Sequence, residues 1–202
     1  MNLEEKKKLY QVRKTLLELV EDRGYPIPEE EIVSFEQFSI KYDNKGMNIF
    51  INDEIRNKKI YIYFYNEIKS FGKNDLKTIF QKIMDEVIDE NVSILLILKD
   101  KENSSVAKEL SRSVYDNVEI FLRHNLMMNI TKHSFAPKHI LIEDEEKVNE
   151  ILTMYRTTKS KLPTLLRTDA MSKYYGFKVG NLIKIIRKSP IVGESIFYRV
   201  VV

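Results

Sequence analysis

The sequence predicts an α/β domain followed by a smaller α+β domain, and three observations carry that prediction. Residues 60–65, 76–88 and 93–99 read as a strand, an amphipathic helix and a nearly continuous apolar strand, the pattern of a parallel pair buried on both faces. Residues 182–187 and 195–201 read as two strands of a hairpin that follow a helix near 143–156. The charge is also divided: residues 1–130 hold 20 Lys/Arg and 23 Asp/Glu, net −3, whereas residues 131–202 hold 13 and 7, net +6. We therefore expect domains at 1–130 and 131–202, joined near Asn125–Ser134 without a Gly/Ser linker.

In chain order, Asn2 and Glu5 make a capping-box-like start. Leu9, Val12, Leu16, Leu19 and Val20 then share one face of a helix that stops at Gly24, with Pro26 and Pro28 preventing its resumption. Ser34 and Gln37 predict a second cap, with Phe35, Phe38 and Tyr42 lining a short helix ended by a turn at 43–46. Met47–Asn52 and Ile60–Tyr65 are strand-like. Leu76, Ile79, Phe80, Ile83, Met84, Val87 and Ile88 give the strongest helical periodicity of the chain. Ser93–Lys99 should run parallel to the strand before that helix, through a right-handed crossover. A short helix near Ser105–Val114 and a strand at Val118–Leu122 complete this half.

In the second half, Val148, Ile151, Leu152 and Tyr155 form the apolar face of the helix at 143–156, whose acidic first turn and terminal Arg156 suit the helix dipole. The hairpin strands should carry Ile196, Tyr198 and Val200 on one face and Phe197, Arg199 and Val201 on the other. Between helix and hairpin lies the stretch Lys161–Gly176. Pro163 fixes its own φ and keeps Leu162 extended, predicting a stiff arm with apolar knobs at Leu162, Leu165 and Leu166. Asp169 should cap a short helix, Gly176 should end it in the left-handed conformation, and Phe177 should fold back on Met171. Local chemistry alone fits a surface connection.

Composition excludes several functions. There is no cysteine, so no disulfide or thiolate chemistry. The start is charged, unlike a signal peptide, and the longest apolar run, Val92–Leu98, is far shorter than the roughly 20 residues of a membrane span. We expect a soluble intracellular protein without membrane association. The six glycines are unclustered, which rules out nucleotide-binding glycine loops, and no cofactor is expected. His124, His133 and His139 lack metal-ligand spacing, and a hydrogen-bonded structural role is expected for the last two. One catalytic pattern is tempting. Glu67-Ile68-Lys69 follows a strand, with Asp53 as an upstream acid, as in a Mg²⁺-dependent nuclease. Acid-x-Lys nevertheless occurs six times in the chain, and catalytic residues are expected to be none. Lys58 and Lys59, beside Tyr61, Tyr63 and Tyr65 on a candidate edge strand, form a basic and aromatic cluster whose alternating tyrosines describe an ordinary amphipathic strand first and proximity to DNA second.

Residues 133–202 resemble the C-terminal domain of the fifth subunit shared by eukaryotic nuclear RNA polymerases, whose archaeal counterpart is the short H subunit. The resemblance runs in order through His133, Pro137-Lys138-His139, Glu146-Lys147, Tyr155-Arg156, Leu162-Pro163, Asp169, Tyr175-Gly176, Gly180, Lys184-Ile185-Ile186-Arg187, Ser189, Gly193 and Tyr198-Arg199. A weaker likeness lies at Arg23-Gly24-Tyr25, Glu30-Glu31, Phe38 and Tyr42. The resemblance implies an inactive, restriction-endonuclease-like N-terminal jaw near downstream DNA and a C-terminal assembly domain. It implies docking on the largest subunit, close to the small sixth subunit, with no homo-oligomer. Carried over residue by residue, the docking surface would hold Leu162, Pro163, Asp169, Tyr174, Tyr175, Gly176, Arg187, Tyr198 and Arg199. A cellular member would work in the nucleus, and a member from a large DNA virus in host cytoplasm and virion. Two departures stand out: Ala170 replaces the family's usual proline, and Thr164-Leu165-Leu166 follows Leu-Pro, which implies an adjusted partner surface. The alternatives are a Mg²⁺-dependent nuclease and a freestanding DNA-binding protein.

Overall fold

The computed structural model describes the chain except residues 1, 43–46, 68–69, 88–91, 102–103, 111 and 190–192 and the side chains of 113 and 189. The expected turn at 43–46, Ile88, Lys69 and the tip of the second hairpin lie outside the described residues. Contacts divide the chain into two compact units, Met1–Met128 and Asn129–Val202.

The first unit opens with α1, Leu3–Asp22, capped by the Asn2 side chain, which accepts from the Glu5 amide at 2.8 Å. Gly24, at φ +86°, lets the chain reverse while its amide donates to Glu21 O. Helix α2, Phe35–Lys41, carries the full capping box of Ser34 and Gln37, a device worth about 1 kcal/mol. The sheet consists of β1 (Ile49–Asp53), β2 (Lys58–Tyr65), β3 (Val92–Leu98) and β4 (Val118–Leu122), in that order. β1 is antiparallel to β2, and β2, β3 and β4 are parallel. The α3 helix, Lys73–Val87, makes the crossover between β2 and β3, and α4, Ser104–Leu110, lies between β3 and β4. The helix expected through Val114 is thus shorter, and Ser113–Tyr115 forms a separate 3-10 turn.

Side-chain alternation explains the layers. Tyr61, Tyr63 and Tyr65 of β2 face Leu76, Ile79 and Ile83 of α3, with Val106 of α4 in the same cluster. Ile60, Ile62 and Phe64 point the other way and are also buried. Leu16, Leu19 and Val20 of α1 are fully buried, and Arg23, just after α1, reaches Glu119 and the Phe121 ring on that second face. The expected edge strand at Lys58–Tyr65 is instead internal, because β1 occupies the edge. Periodicity identifies a strand but not its neighbours.

The second unit is a four-stranded sheet, β5-β7-β8-β6, with two helices. β5 is Lys138–Ile142, β6 Thr164–Leu165, β7 Leu182–Ser189 and β8 Gly193–Val201. The expected hairpin is β7–β8, antiparallel in a register from Leu182↔Val200 to Ser189↔Gly193. β5 joins antiparallel to β7 and β6 joins parallel to β8; neither was expected. Helix α5, Glu145–Met154, starts later than expected because Asp144, not Glu143, caps it. Val148 of α5 packs with Leu182 and Val200 on one face, joined by Ile151, Leu152 and Leu162. Tyr155 does not enter this face. It stays exposed, edge-on to Tyr198 with ring centroids 5.5 Å apart. The opposite face holds Ile183, Ile185, Val201, Leu165 and Phe177.

Candidate docking surface

The arm at Leu162–Leu166 is only partly the exposed element expected. Leu165 is 7% exposed, because pairing of Thr164–Leu165 with Val200–Val201 turns it into the sheet core. Leu162 is half-buried against the Val148 cluster. Of the three knobs only Leu166, 60% exposed, projects into solvent. Pro163 is exposed, and its carbonyl accepts the Val200 amide at 3.0 Å.

Asp169 caps α6, Ala170–Tyr175, accepting the Met171 amide at 2.9 Å. Ala170 fills the first helical position, so the cap sets the helix start without proline's fixed φ. Gly176 sits at φ +68°, and the Phe177 amide returns to Ser172 O at 3.0 Å, closing the end as a Schellman-type turn. Phe177 then packs with Leu165, Ile183, Ile185 and Val201 and stacks on Tyr175 at 5.3 Å.

Tyr174 is a correction. It is 4% exposed, and its hydroxyl accepts 2.9 Å from the Asn129 side chain. The helical repeat turns it inward, so it is a packing residue of the second unit rather than an exposed one. Tyr175 is half-buried and Gly176 partly exposed. Arg187 is exposed with its guanidinium 5.2 Å from the Phe197 ring centroid. Tyr198 and Arg199 are partly exposed, and Arg199 Nη1 donates to Thr164 O at 2.9 Å. Tyr198's hydroxyl has a raised pKa, chiefly from burial and secondarily from Tyr155. Sequence reasoning did not single out Ile196 and Phe197 as site residues. They are 47% and 46% exposed on opposite faces of β8; alternation assigned them to faces, but only the sheet shows that neither face is covered there.

The histidines have structural partners. His139 is buried and its Nδ1 donates to Pro137 O at 2.8 Å, with burial first and Arg199 and Arg187 further down holding its pKa below the usual value against the raising effect of that bond. His133 Nδ1 accepts the Phe135 amide at 3.3 Å.

In the first unit the nuclease geometry does not assemble. Asp53 ends β1 opposite Lys58, whereas Glu67 follows the far end of β2. Eight residues of strand separate the two by about 20 Å or more, so they cannot share one ion. Asp53 is buried and accepts the Arg56 amide at 3.1 Å. Among the described residues no cluster of three acidic or histidine side chains is arranged to hold a metal. Lys58 is exposed and Lys59 half-exposed at the start of β2. The tyrosines beside them are packing residues. Tyr61 donates to Glu86 Oε2 at 2.9 Å, and burial, then that carboxylate, pushes its pKa up to about 12.

The first unit's matching residues tie α1 to the rest. Arg23 makes a two-pronged bond to Glu119 of β4, both at 2.9 Å. Arg13, 1% exposed, donates to Glu31 and, at 3.0 Å, to the Tyr42 hydroxyl. Tyr25 donates to Ser93 Oγ at 3.4 Å.

A family model described as RNA polymerase Rpb5, N-terminal domain, matches residues 3–83, and one described as RNA polymerase Rpb5, C-terminal domain, matches residues 128–201. The chain is 30% identical over 209 residues to the DNA-directed RNA polymerases I, II, and III subunit RPABC1 of Caenorhabditis elegans, covering 96% of each. The Caenorhabditis briggsae protein of the same name gives the same identity and coverage. The Dictyostelium discoideum counterpart is 32% identical over 214 residues, covering 99% of this chain and 100% of that one.

Proposed function

Because the chain belongs to the RNA polymerase Rpb5 family, we propose that it is a non-catalytic structural subunit of a multisubunit DNA-directed RNA polymerase. The observation that carries this is likeness along nearly the whole chain to relatives named as polymerase subunits. The separation of Asp53 from Glu67 supports the absence of a nuclease role.

Residues 1–130 act as the jaw, with a restriction-endonuclease-like fold that does not cut, lying near downstream DNA. The mixed sheet with helices on both faces supports that reading, and Lys58 and Lys59 are its DNA-facing cations. Residues 131–202 are the assembly domain, docking on the largest subunit beside the small sixth subunit. The surface consists of Leu162, Pro163, Asp169, Tyr175, Gly176, Arg187, Tyr198 and Arg199, to which exposed Leu166 is added. Tyr174, buried and bonded to Asn129, is left out of this surface. Gross burial of apolar area contributes roughly 25 cal/mol per Å², from which association costs are subtracted. A nuclear location follows for a cellular member; the virion alternative finds no support among these relatives.

The test is purification of the tagged chain from its native source with identification of co-purifying proteins. Large polymerase subunits are expected, and their absence sinks the reading. Leu166→Asp, at an exposed position, should reduce incorporation with no change in thermal unfolding. Leu162→Asp does not isolate docking, because Leu162 packs in the cluster of Val148 and Leu182.

A further inference from the structure

We propose that the outer edge of β8, from Glu194 to Tyr198, takes up an extended, acid-rich segment of a polymerase partner by strand addition, an inference that rests on the subunit reading above. Backbone directions at the end of β8 establish which groups face outward. Val200 N donates to Pro163 O at 3.0 Å, Val202 N to Leu165 O at 2.9 Å, and Val202 O accepts from Arg167 N at 2.8 Å. All three point to the β6 side. Val201 points oppositely, donating to Asn181 O at 3.0 Å and accepting from Gly180 N at 2.9 Å.

In an extended strand the amide and carbonyl of one residue share a direction, and successive residues alternate. Glu194, Ile196 and Tyr198 therefore turn both groups outward, on the side where β6 pairs only with Val200 and Val201. Among the described residues no backbone bond reaches these outward groups. Native edges are ordinarily blunted by proline, short length or inward charge. None of these interrupts the run from Ser195 to Tyr198, and Ile196 and Phe197 are half-exposed on its two faces.

Charge selects the occupant. Lys184 stands opposite Tyr198 and Lys188 opposite Glu194 across the hairpin, Arg187 lies over Phe197, and Arg199 adjoins Thr164. The two strands carry these four cations, Lys184 and Lys188 on the face of Glu194 and Arg187 and Arg199 on the other, against one carboxylate, Glu194, itself 3.9 Å from Lys188. An added strand would place alternate side chains beside Ile196 and Tyr198 on one face and Ser195 and Phe197 on the other. Apolar residues alternating with acids satisfy both the exposed side chains and the surplus positive charge.

Residue-resolved hydrogen exchange on the free chain and on polymerase carrying it tests this. In the free chain the Ile196 and Tyr198 amides should exchange fast and the Phe197 amide slowly. In the assembly the first two should slow by roughly ten-fold or more. Amides that remain fast in an assembly the wild-type chain demonstrably joins overturn strand addition while leaving the subunit reading intact. Failure of the wild-type chain to join overturns the subunit reading itself. Protection that rises with concentration of the free chain identifies a second copy as the occupant and overturns the partner segment. Ile196→Pro, which removes an outward donor but no bond to β7, should reduce incorporation by more than Ile196→Thr, which trims the side chain but keeps the donor; equal incorporation of the two contradicts the proposal. Arg187→Glu combined with Lys188→Glu should also weaken incorporation, and an unchanged level overturns the acidic character of the occupant.

Discussion

The Asn129 side chain donates a 2.9 Å hydrogen bond to the Tyr174 hydroxyl, and both residues are buried in the second unit. Asn129 Oδ1 also accepts from the Thr131 amide at 2.9 Å and its hydroxyl at 2.7 Å. The bond therefore fastens α6 to the segment that opens the unit. Tyr174→Phe leaves a buried amide donor without this acceptor, at a cost of about 1–3 kcal/mol. The expected outcome is a lower denaturation midpoint for the second unit and unchanged incorporation at temperatures where the variant is folded. Loss of incorporation by a fully folded variant would return Tyr174 to the docking surface.

Gly176 holds the end of α6 at φ +68°. An L-residue there costs about 1–2 kcal/mol. Gly176→Ala should destabilise the second unit by that amount in urea unfolding, and Gly176→Asn by less, because asparagine tolerates the left-handed region. An alanine variant as stable as wild type would show that the turn relaxes to another conformation.

Burial holds the His139 pKa below its ordinary 6.5. Between the folded and unfolded values the unfolded chain binds more protons, so stability falls as pH drops below about 6.5 and is unaffected by this group above it. Denaturation midpoints measured from neutral to acidic pH should decline more steeply for wild type than for His139→Asn, in which a side-chain amide replaces the imidazole. Equal slopes would remove His139 as a source of acid sensitivity.

Arg23 and Glu119 join the end of α1 to β4 through two bonds of 2.9 Å each, with the arginine side chain 8% exposed. Arg23→Ala strands a partly buried carboxylate and should cost about 2–3 kcal/mol. Arg23→Lys should recover only part of this, since an ammonium cannot make the paired geometry. A double-mutant cycle with Glu119→Gln measures the coupling, and a coupling near zero would show that the pair contributes no net stability.

Several residues that carry the family likeness act within the fold. Arg23 and Glu31 hold α1, His139 binds Pro137 O, Asp169 caps α6 and Gly176 ends it. Asp169 and Gly176 were legible because their physics is local, since a cap, a left-handed turn and a run of apolar residues each act within four residues, whereas the partners of Arg23 and Glu31 lie 96 and 18 residues away. The strand at Val118–Leu122, the one expected at Leu182–Arg187, which runs on to Ser189, and the helices α1 and α3 were legible in the same way. The candidate site was less so. Leu165 was expected as an apolar knob and Tyr174 on the docking surface, and both are core residues, because their burial depends on Val201 and Asn129, distant in sequence.

The sequence by itself determined the order of the helices and of the longer strands apart from β5, the caps, the absence of cysteine chemistry and the family. The tertiary structure decided which of those elements are neighbours. It placed β1 outside Lys58–Tyr65, added β5 and the two-residue β6 to the second sheet, and separated Asp53 from Glu67 along one strand. It also sharpened the stretch Leu162–Gly176 from a free arm into a strand and helix built into a core, with Leu166 left outside. The physical reason is that periodicity reports which face of an element is apolar, whereas only strand pairing at long sequence separation decides what covers it and which edge remains open.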